Sequence, residues 1–194
     1  MNKRIDARSL PCPKPVILTK HAIDEADFTT LEILVDNEAA KENVKRFLTK
    51  QGFADIAVNS ENGDYSICVG GQRVPSFAKE QLSDKTLFLS SQYIGSGDDT
   101  LGTLLMRGFL YTLTELDQKP SRMIFMNSAV YLTIEPSQTL TYLQKLQHDG
   151  VEIMVCGTCL DYYQVKEQLA VGIISNMYSI TEALLQDTSP VKIS

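Results

Sequence analysis

Two thiol-bearing segments carry the chemistry open to this chain. The first is Pro11-Cys12-Pro13-Lys14-Pro15, a cysteine held between prolines where an apolar helical pattern begins. Proline fixes φ near the helical value and has no N–H to lose, so it suits a first helical turn and no deeper position. Cys12 is therefore predicted at or next to the helix N-cap, with Pro13 starting the helix. A helix N-terminus offers unpaired N–H groups and a partial positive charge, which stabilise an anion. That anion would be a thiolate, the nucleophilic form of a group whose free pKa is about 8.5 and falls in such settings. The second segment is Cys156-Gly157-Thr158-Cys159. A Cys-x-x-Cys pair can close a disulfide, or let one thiol attack sulfur carried on the other.

Other residue types that do chemistry read as structural. Cys68 lies in a strand with Tyr65, Ile67 and Val69. Tetrahedral zinc needs four ligands; beyond the Cys-x-x-Cys only Cys12, Cys68, His21 and His148 are available, and they form no second paired motif. No metal is expected. His21, two turns from Cys12, belongs at the edge of the core, with proton donation as the alternative. His148 follows a helix and caps it. Gly95-Ser96-Gly97-Asp98-Asp99 resembles a phosphate-binding turn by position only, and its two acids would repel an anion. They read as N-capping and first-turn residues, so no nucleotide cofactor is expected. No Ser-His-Asp order, HExxH or Walker motif is present.

The elements that must position these thiols fall into two grammars. In the first, Lys3 to Ala7 reads as a strand, Pro13 to Ala26 as a helix, and Leu31 to Val35 as a strand. Glu38 to Gln51 is a helix with Ala40, Val44, Phe47 and Leu48 on its apolar side, stopped by Gly52. Ala54 to Ser60 and Asp64 to Val69 are strands joined by the hairpin signal Glu61-Asn62-Gly63. The order βαβαββ predicts two helices on one face of a small sheet.

The second grammar alternates strand and helix. Strands are read at Thr86 to Ser91, Arg122 to Met126, Val151 to Val155 and Val171 to Ile174. Helices are read after Asp99 (bearing Leu101, Leu104, Leu105, Phe109, Leu113 and Leu116, stopped by Pro120), at Ser137 to His148, Asp161 to Ala170 and Tyr178 to Gln186. This order predicts a parallel, doubly wound α/β/α sheet. Cys156 would then stand at the carboxyl edge of its strand, where open parallel sheets place their working crevice. Cys159 would stand near a helix N-terminus, again favouring a thiolate.

The fold class expected is thus α/β, a two-layer βαβαββ sandwich over 1–72 and a doubly wound sheet over 85–194, with a polar linker at 73–84. With 194 residues there is room for both. A net charge of −6 gives no electrostatic drive toward nucleic acid, and the cluster Lys41, Lys45, Arg46 and Lys50 reads as a solvated helix face. No long apolar run or export signal is seen, so the expectation is a cytoplasmic chain without membrane association. Four cysteines in that setting read as reactive thiols rather than a disulfide framework.

The stretch Asp6 to Pro15, with its Cys-Pro-x-Pro, resembles the signature of TusA/SirA-like sulfur carriers, and Val35-Asp36-Asn37-Glu38-Ala39 adds to the likeness. That family's usual pattern has glycine where Ser9 stands. Residues 85–194 resemble DsrE/DsrF-like proteins, in which a cysteine at the position of Cys156 accepts persulfide sulfur; Cys159 is an addition. The fusion of both, with Cys156-Gly157-Thr158-Cys159-Leu160-Asp161 and Ser175-Asn176-Met177-Tyr178, is similar to a family of sulfurtransferase-like selenium-metabolism proteins. The resemblance implies a chalcogen carrier. Cys12 takes sulfur or selenium as a persulfide, Cys156 is a second acceptor and Cys159 resolves it. A donor such as a cysteine desulfurase, a downstream acceptor and a homo-oligomer are implied as partners, with no cofactor or metal. A dithiol oxidoreductase working through Cys156 and Cys159, and a non-catalytic regulatory module, remain as alternatives.

Overall fold

The computed structural model describes residues 2–25, 28–61, 63–70, 83–187 and 189–194. Two compact units divide the chain, Met1–Ala78 and Lys79–Ser194. Most of the expected linker at 73–84 lies outside the described residues; its last two, Ser83 and Asp84, open a strand instead.

The first unit runs β1 (Asn2–Asp6), α1 (Lys14–Asp24), β2 (Thr30–Val35), α2 (Glu38–Lys50), β3 (Ile56–Glu61) and β4 (Asp64–Gly70). Its sheet has the order β1-β2-β4-β3. β1 and β2 are parallel, so α1 crosses over between them; β4 runs antiparallel to both neighbours. Period-2 alternation puts Leu31, Ile33 and Val35 on the covered face, each at 0% exposure, against Ala22, Ile23, Val44 and Leu48 of the two helices. Both helix N-termini therefore stand at the carboxyl ends of β1 and β2. Asn37 caps α2, its side chain accepting from Ala40 N–H. The helix α1 starts at Lys14, with Pro13 as its N-cap rather than its first residue. His21 is exposed in the last turn of α1, outside the core edge where it was expected. Ala26 and Asn62, included in the expected helix and hairpin, lie outside the described residues.

The second unit runs β5 (Ser83–Leu89), α3 (Asp99–Glu115), β6 (Pro120–Phe125), a 3-10 segment (Asn127–Leu132), α4 (Leu140–His148), β7 (Glu152–Cys156), α5 (Gly157–Tyr162), a short 3-10 turn (Lys166–Gln168), β8 (Ile173–Ser175), α6 (Met177–Gln186) and β9 (Val191–Ile193). Its sheet, β8-β7-β6-β5-β9, is parallel throughout. Successive strands step one way to β8, and the chain then returns to the far edge as β9. Helices cover both faces, as a doubly wound sheet requires. The α3 and α4 side packs Met106, Leu110 and Leu143 on Leu89, Phe125 and Val155. The opposite side packs Ile180 and Ala183 of α6 on Ile124, Met154 and Cys156.

Local reading misplaced three features here. Asp161 to Ala170 is not one helix: α5 begins at Gly157, directly at the strand end, and stops at Tyr162. Gln164 at φ 57° is in the left-handed region and ends the helical path. Pro120 does not stop α3, which ends at Glu115; it opens β6. Strand β9 carries only three residues and was not expected.

Candidate functional site

Cys12 is an exposed free thiol in the turn between β1 and α1. That turn is built by residues before it. Ser9 sits at φ 58°, in the left-handed region that favours glycine. Asp36, just past β2, holds it: Asp36 Oδ2 accepts from Ser9 N–H at 2.6 Å and faces Ser9 Oγ at 3.4 Å. These bonds keep the Asp36 carboxyl below its ordinary pKa, the Ser9 N–H contributing most and the Asn37 amide next. Arg8 clamps the strand end from the other side, bonded to Asp6 and to Asp64 of β4.

The donors at the start of α1 are spent, contrary to the expectation from the sequence. Pro13 and Pro15 have no N–H, Lys14 N–H bonds Pro11 O, and Val16 and Ile17 N–H both bond Pro13 O. What Cys12 does line is a groove of about 70 Å³, between Leu10, Pro13 and Val16 on one side and Asn37, Ala40 and Asn43 of the α2 end on the other. A water needs roughly 10–15 Å³ measured this way, so the groove has room for an extra chalcogen atom on the thiol.

Cys156 and Cys159 lie in the second unit, at the carboxyl edge of its sheet. Cys156 is the last residue of β7 and points to the α6 side, 1% exposed among Ile124, Met154, Ile180 and Ala183. Cys159 is the third residue of α5 and is partly exposed. The sequence reading gave Cys156 the role of acceptor; of the two sulfurs, Cys159 is the one open to an incoming group. Gly157 makes the tight join between strand and helix, since a Cβ there would sit 3.0 Å from Ile174 Cγ2.

Asn127 N–H donates to the Cys159 sulfur at 3.1 Å, and Cys159 packs against the apolar cluster that holds Cys156. Asn127 follows β6 at φ 52°, and its side-chain Oδ1 accepts from Tyr163 Oη at 2.6 Å. The Tyr163 ring is itself fixed against Tyr131 and Tyr162, with centroids 4.9 and 5.2 Å away. Burial pushes the Cys159 thiol pKa up, and Cys156 adds to this, while the Asn127 N–H pulls it partly back. The thiolate expected from a helix N-terminus is therefore not the resting form. Cys68 is in β4, half-buried beside Ser66. Among the described residues no group of three or more His, Cys, Asp or Glu could hold a metal ion, and no helix is long and apolar enough to cross a membrane.

Residues 3–70 match the profile of the sulfurtransferase TusA family. A Methanocaldococcus jannaschii protein whose name marks it as a candidate sulfur carrier is 31% identical over 68 residues, 34% of this chain and 91% of its own length. The chain belongs to the TusA family. Membership rests on the first unit and carries the Cys12 turn with it. Among solved structures, a SirA-like protein from Desulfitobacterium hafniense aligns at 27% identity and a TM-score of 0.33, over 35% of this chain and 95% of that one. The ychN protein from E. coli aligns at 16% identity and a TM-score of 0.41, over 56% of this chain and 98% of that one.

Sequence reasoning gave Ser9 and Asp36 only as members of the stretches that carry the family likeness, and it missed the part played by Asn127. A signal existed for Ser9 and Asp36 in those stretches. None existed for Asn127, because its role lies in a backbone N–H and in a packing partner 36 residues away.

Proposed function

We propose that this protein is a sulfur or selenium carrier in which Cys12 takes a sulfane chalcogen from a donor as a persulfide. The observation that carries the reading is an exposed Cys12 on a braced turn, beside a groove with room for an added chalcogen atom, in a domain of the TusA family. Loading needs only thiolate attack on a sulfane sulfur, so access and geometry suffice. A cysteine desulfurase is the donor class that fits, with a second thiol protein downstream, in a cytoplasmic setting. We read residues 85–194 as a DsrE/DsrF-like domain and the fusion as YedF-like, with Cys156 and Cys159 as its thiol station. Tethering the two units raises the effective concentration of one thiol site toward the other.

The test is intact-protein mass spectrometry after incubation with a cysteine desulfurase and cysteine. The expected result is one added sulfur atom that maps to Cys12 and is lost in Cys12→Ala. Unchanged loading in that variant would overturn the carrier role of Cys12. A second reading, a dithiol oxidoreductase, is favoured by the packing of Cys159 against the cluster that holds Cys156, three residues away in the chain. It predicts a reversible disulfide with no dependence on any sulfane donor.

A further inference from the structure

The two sulfurs of the second unit differ in one respect that decides what each can do. Cys159 is partly open, and Cys156 is 1% exposed inside an apolar cluster. A persulfide on Cys156 would place an extra atom among Ile124, Met154, Ile180 and Ala183, in a region packed to interior density. The same extra atom on Cys159 has solvent on one side. Cys159 nevertheless packs against the cluster that encloses Cys156, three residues away in the chain. With 1% exposure, Cys156 is closed to solvent-borne reagents and has Cys159, at the side of its cluster, as a neighbouring thiol.

We propose that this pair discharges carried sulfur reductively: Cys159 accepts the sulfane atom, and Cys156 then expels it as hydrogen sulfide. The proposal rests on the carrier reading, since it needs sulfane sulfur to arrive. In the first step the Cys159 thiolate attacks the outer sulfur of a donor persulfide. An S–S bond forms on Cys159, the donor S–S bond breaks, and the donor leaves as a thiolate. In the second step the Cys156 sulfur attacks Cys159 Sγ, forming the Cys156–Cys159 disulfide and breaking the bond to the outer sulfur. That sulfur departs with the bonding electron pair and the Cys156 proton, as hydrogen sulfide. The sulfane sulfur is reduced and the two cysteines are oxidised, so the first turnover needs no outside electrons. A dithiol reductant resets the pair for the next. With selenium as cargo, the same steps release hydrogen selenide.

The surroundings of Cys159 suit both steps. Asn127 N–H holds the sulfur at 3.1 Å, and Tyr163 holds Asn127 at 2.6 Å, so the position of Cys159 Sγ is braced from the Asn127 side. Gly157 keeps α5 close on the strand end, where a Cβ would sit 3.0 Å from Ile174 Cγ2, and so holds Cys159 near the end of the strand that carries Cys156.

The experiment uses full-length protein carrying Cys12→Ser, reduced and freed of reductant, with glutathione persulfide as the sulfane donor. Sulfide is trapped and quantified, and peptide mapping locates each modification. The expected result is one sulfide per chain with loss of two hydrogens at the Cys156–Cys159 pair. Adding Cys156→Ser is expected to stop sulfide release and leave one sulfur on Cys159; adding Cys159→Ser is expected to leave neither sulfide nor adduct. Sulfur mapped to Cys156, or sulfide release that survives loss of Cys156, would overturn the proposal. So would a stable Cys159 adduct with no sulfide in the Cys12→Ser protein, a result that does not depend on how the buried Cys156 position tolerates change. The carrier reading fails separately, by absence of a Cys12 adduct in the wild-type chain.

Discussion

Asp36 Oδ2 accepts the Ser9 N–H at 2.6 Å and so joins the end of β2 to the turn that presents Cys12. Ser9 holds φ 58° there, where a side chain costs about 1 kcal/mol relative to glycine. Ser9→Gly keeps the N–H donor and removes that cost, so it is expected to stabilise the first unit by about 1 kcal/mol. Thermal unfolding of the two proteins checks this; a rise of about 4–8 °C is the scale for a domain of that size. A lower midpoint for Ser9→Gly would mean the Ser9 hydroxyl, at 3.4 Å from Asp36, matters more than the cost of the left-handed conformation.

The acid limb of stability follows from Asp6. Arg8 holds its carboxyl at about 2, first by a side-chain hydrogen bond and then by its backbone N–H, against about 3.9 in an unfolded chain. A depressed native pKa means that the unfolded state binds the proton more tightly. The contribution is therefore present above pH about 4 and is lost as pH falls through the native value near 2. Asp36, also lowered, acts in the same direction. Denaturant unfolding between pH 5 and pH 2 is expected to show falling stability, with a shallower slope in Asp6→Asn. Parallel slopes in the two proteins would remove Asp6 from the account. Both groups are exposed, so the effect is small and salt-sensitive.

Helix α3 shows what a sequence pattern conceals. Its leucines recur at helical spacing, yet Leu101, Leu104 and Leu105 are 53%, 61% and 45% exposed. The buried face is Gly102, Met106, Leu110 and Leu113. A helix apolar most of the way round has no unique inward side, and only the sheet it meets selects one. Leu110→Ala is expected to cost about 2–5 kcal/mol, and Leu104→Gln less than about 0.5 kcal/mol. Chemical denaturation of both variants decides it; comparable losses would mean that the Leu104 face is covered in solution.

Period and breakers were enough to read both sheets apart from the short edge strand β9, because Leu31, Ile33 and Val35 alternate inward and β5, β6 and β7 are largely apolar runs. They were enough to place Cys12 beside a helix start and Cys156 at a strand end. They failed at α5, where Gly157 lets the helix begin on the strand itself and carries Cys159 inside it. They also failed on access: nothing local says that α6, some 20 residues on, covers Cys156 and leaves Cys159 open. The missing information is tertiary in each case.

Cys159 is held protonated at neutral pH, because burial and the Cys156 thiol outweigh the Asn127 N–H. Alkylation by iodoacetamide in a Cys12→Ser, Cys68→Ser background is therefore expected to have its pH midpoint above the free value of about 8.5. Tyr163→Phe removes the donor to Asn127 Oδ1 and frees Asn127 to leave its left-handed conformation. The N–H then no longer opposes the other two effects, and the midpoint is expected to move further up. A merely structural tyrosine would lower the melting temperature and leave that midpoint in place. The thiolate that does form is the more nucleophilic for its high pKa, since intrinsic attack rates on sulfur rise with basicity. A midpoint below about 8.5 would mean that the Asn127 N–H dominates, and Cys159 would then be a standing thiolate exposed to any oxidant, rather than a thiol drawn into reaction by an arriving sulfane group.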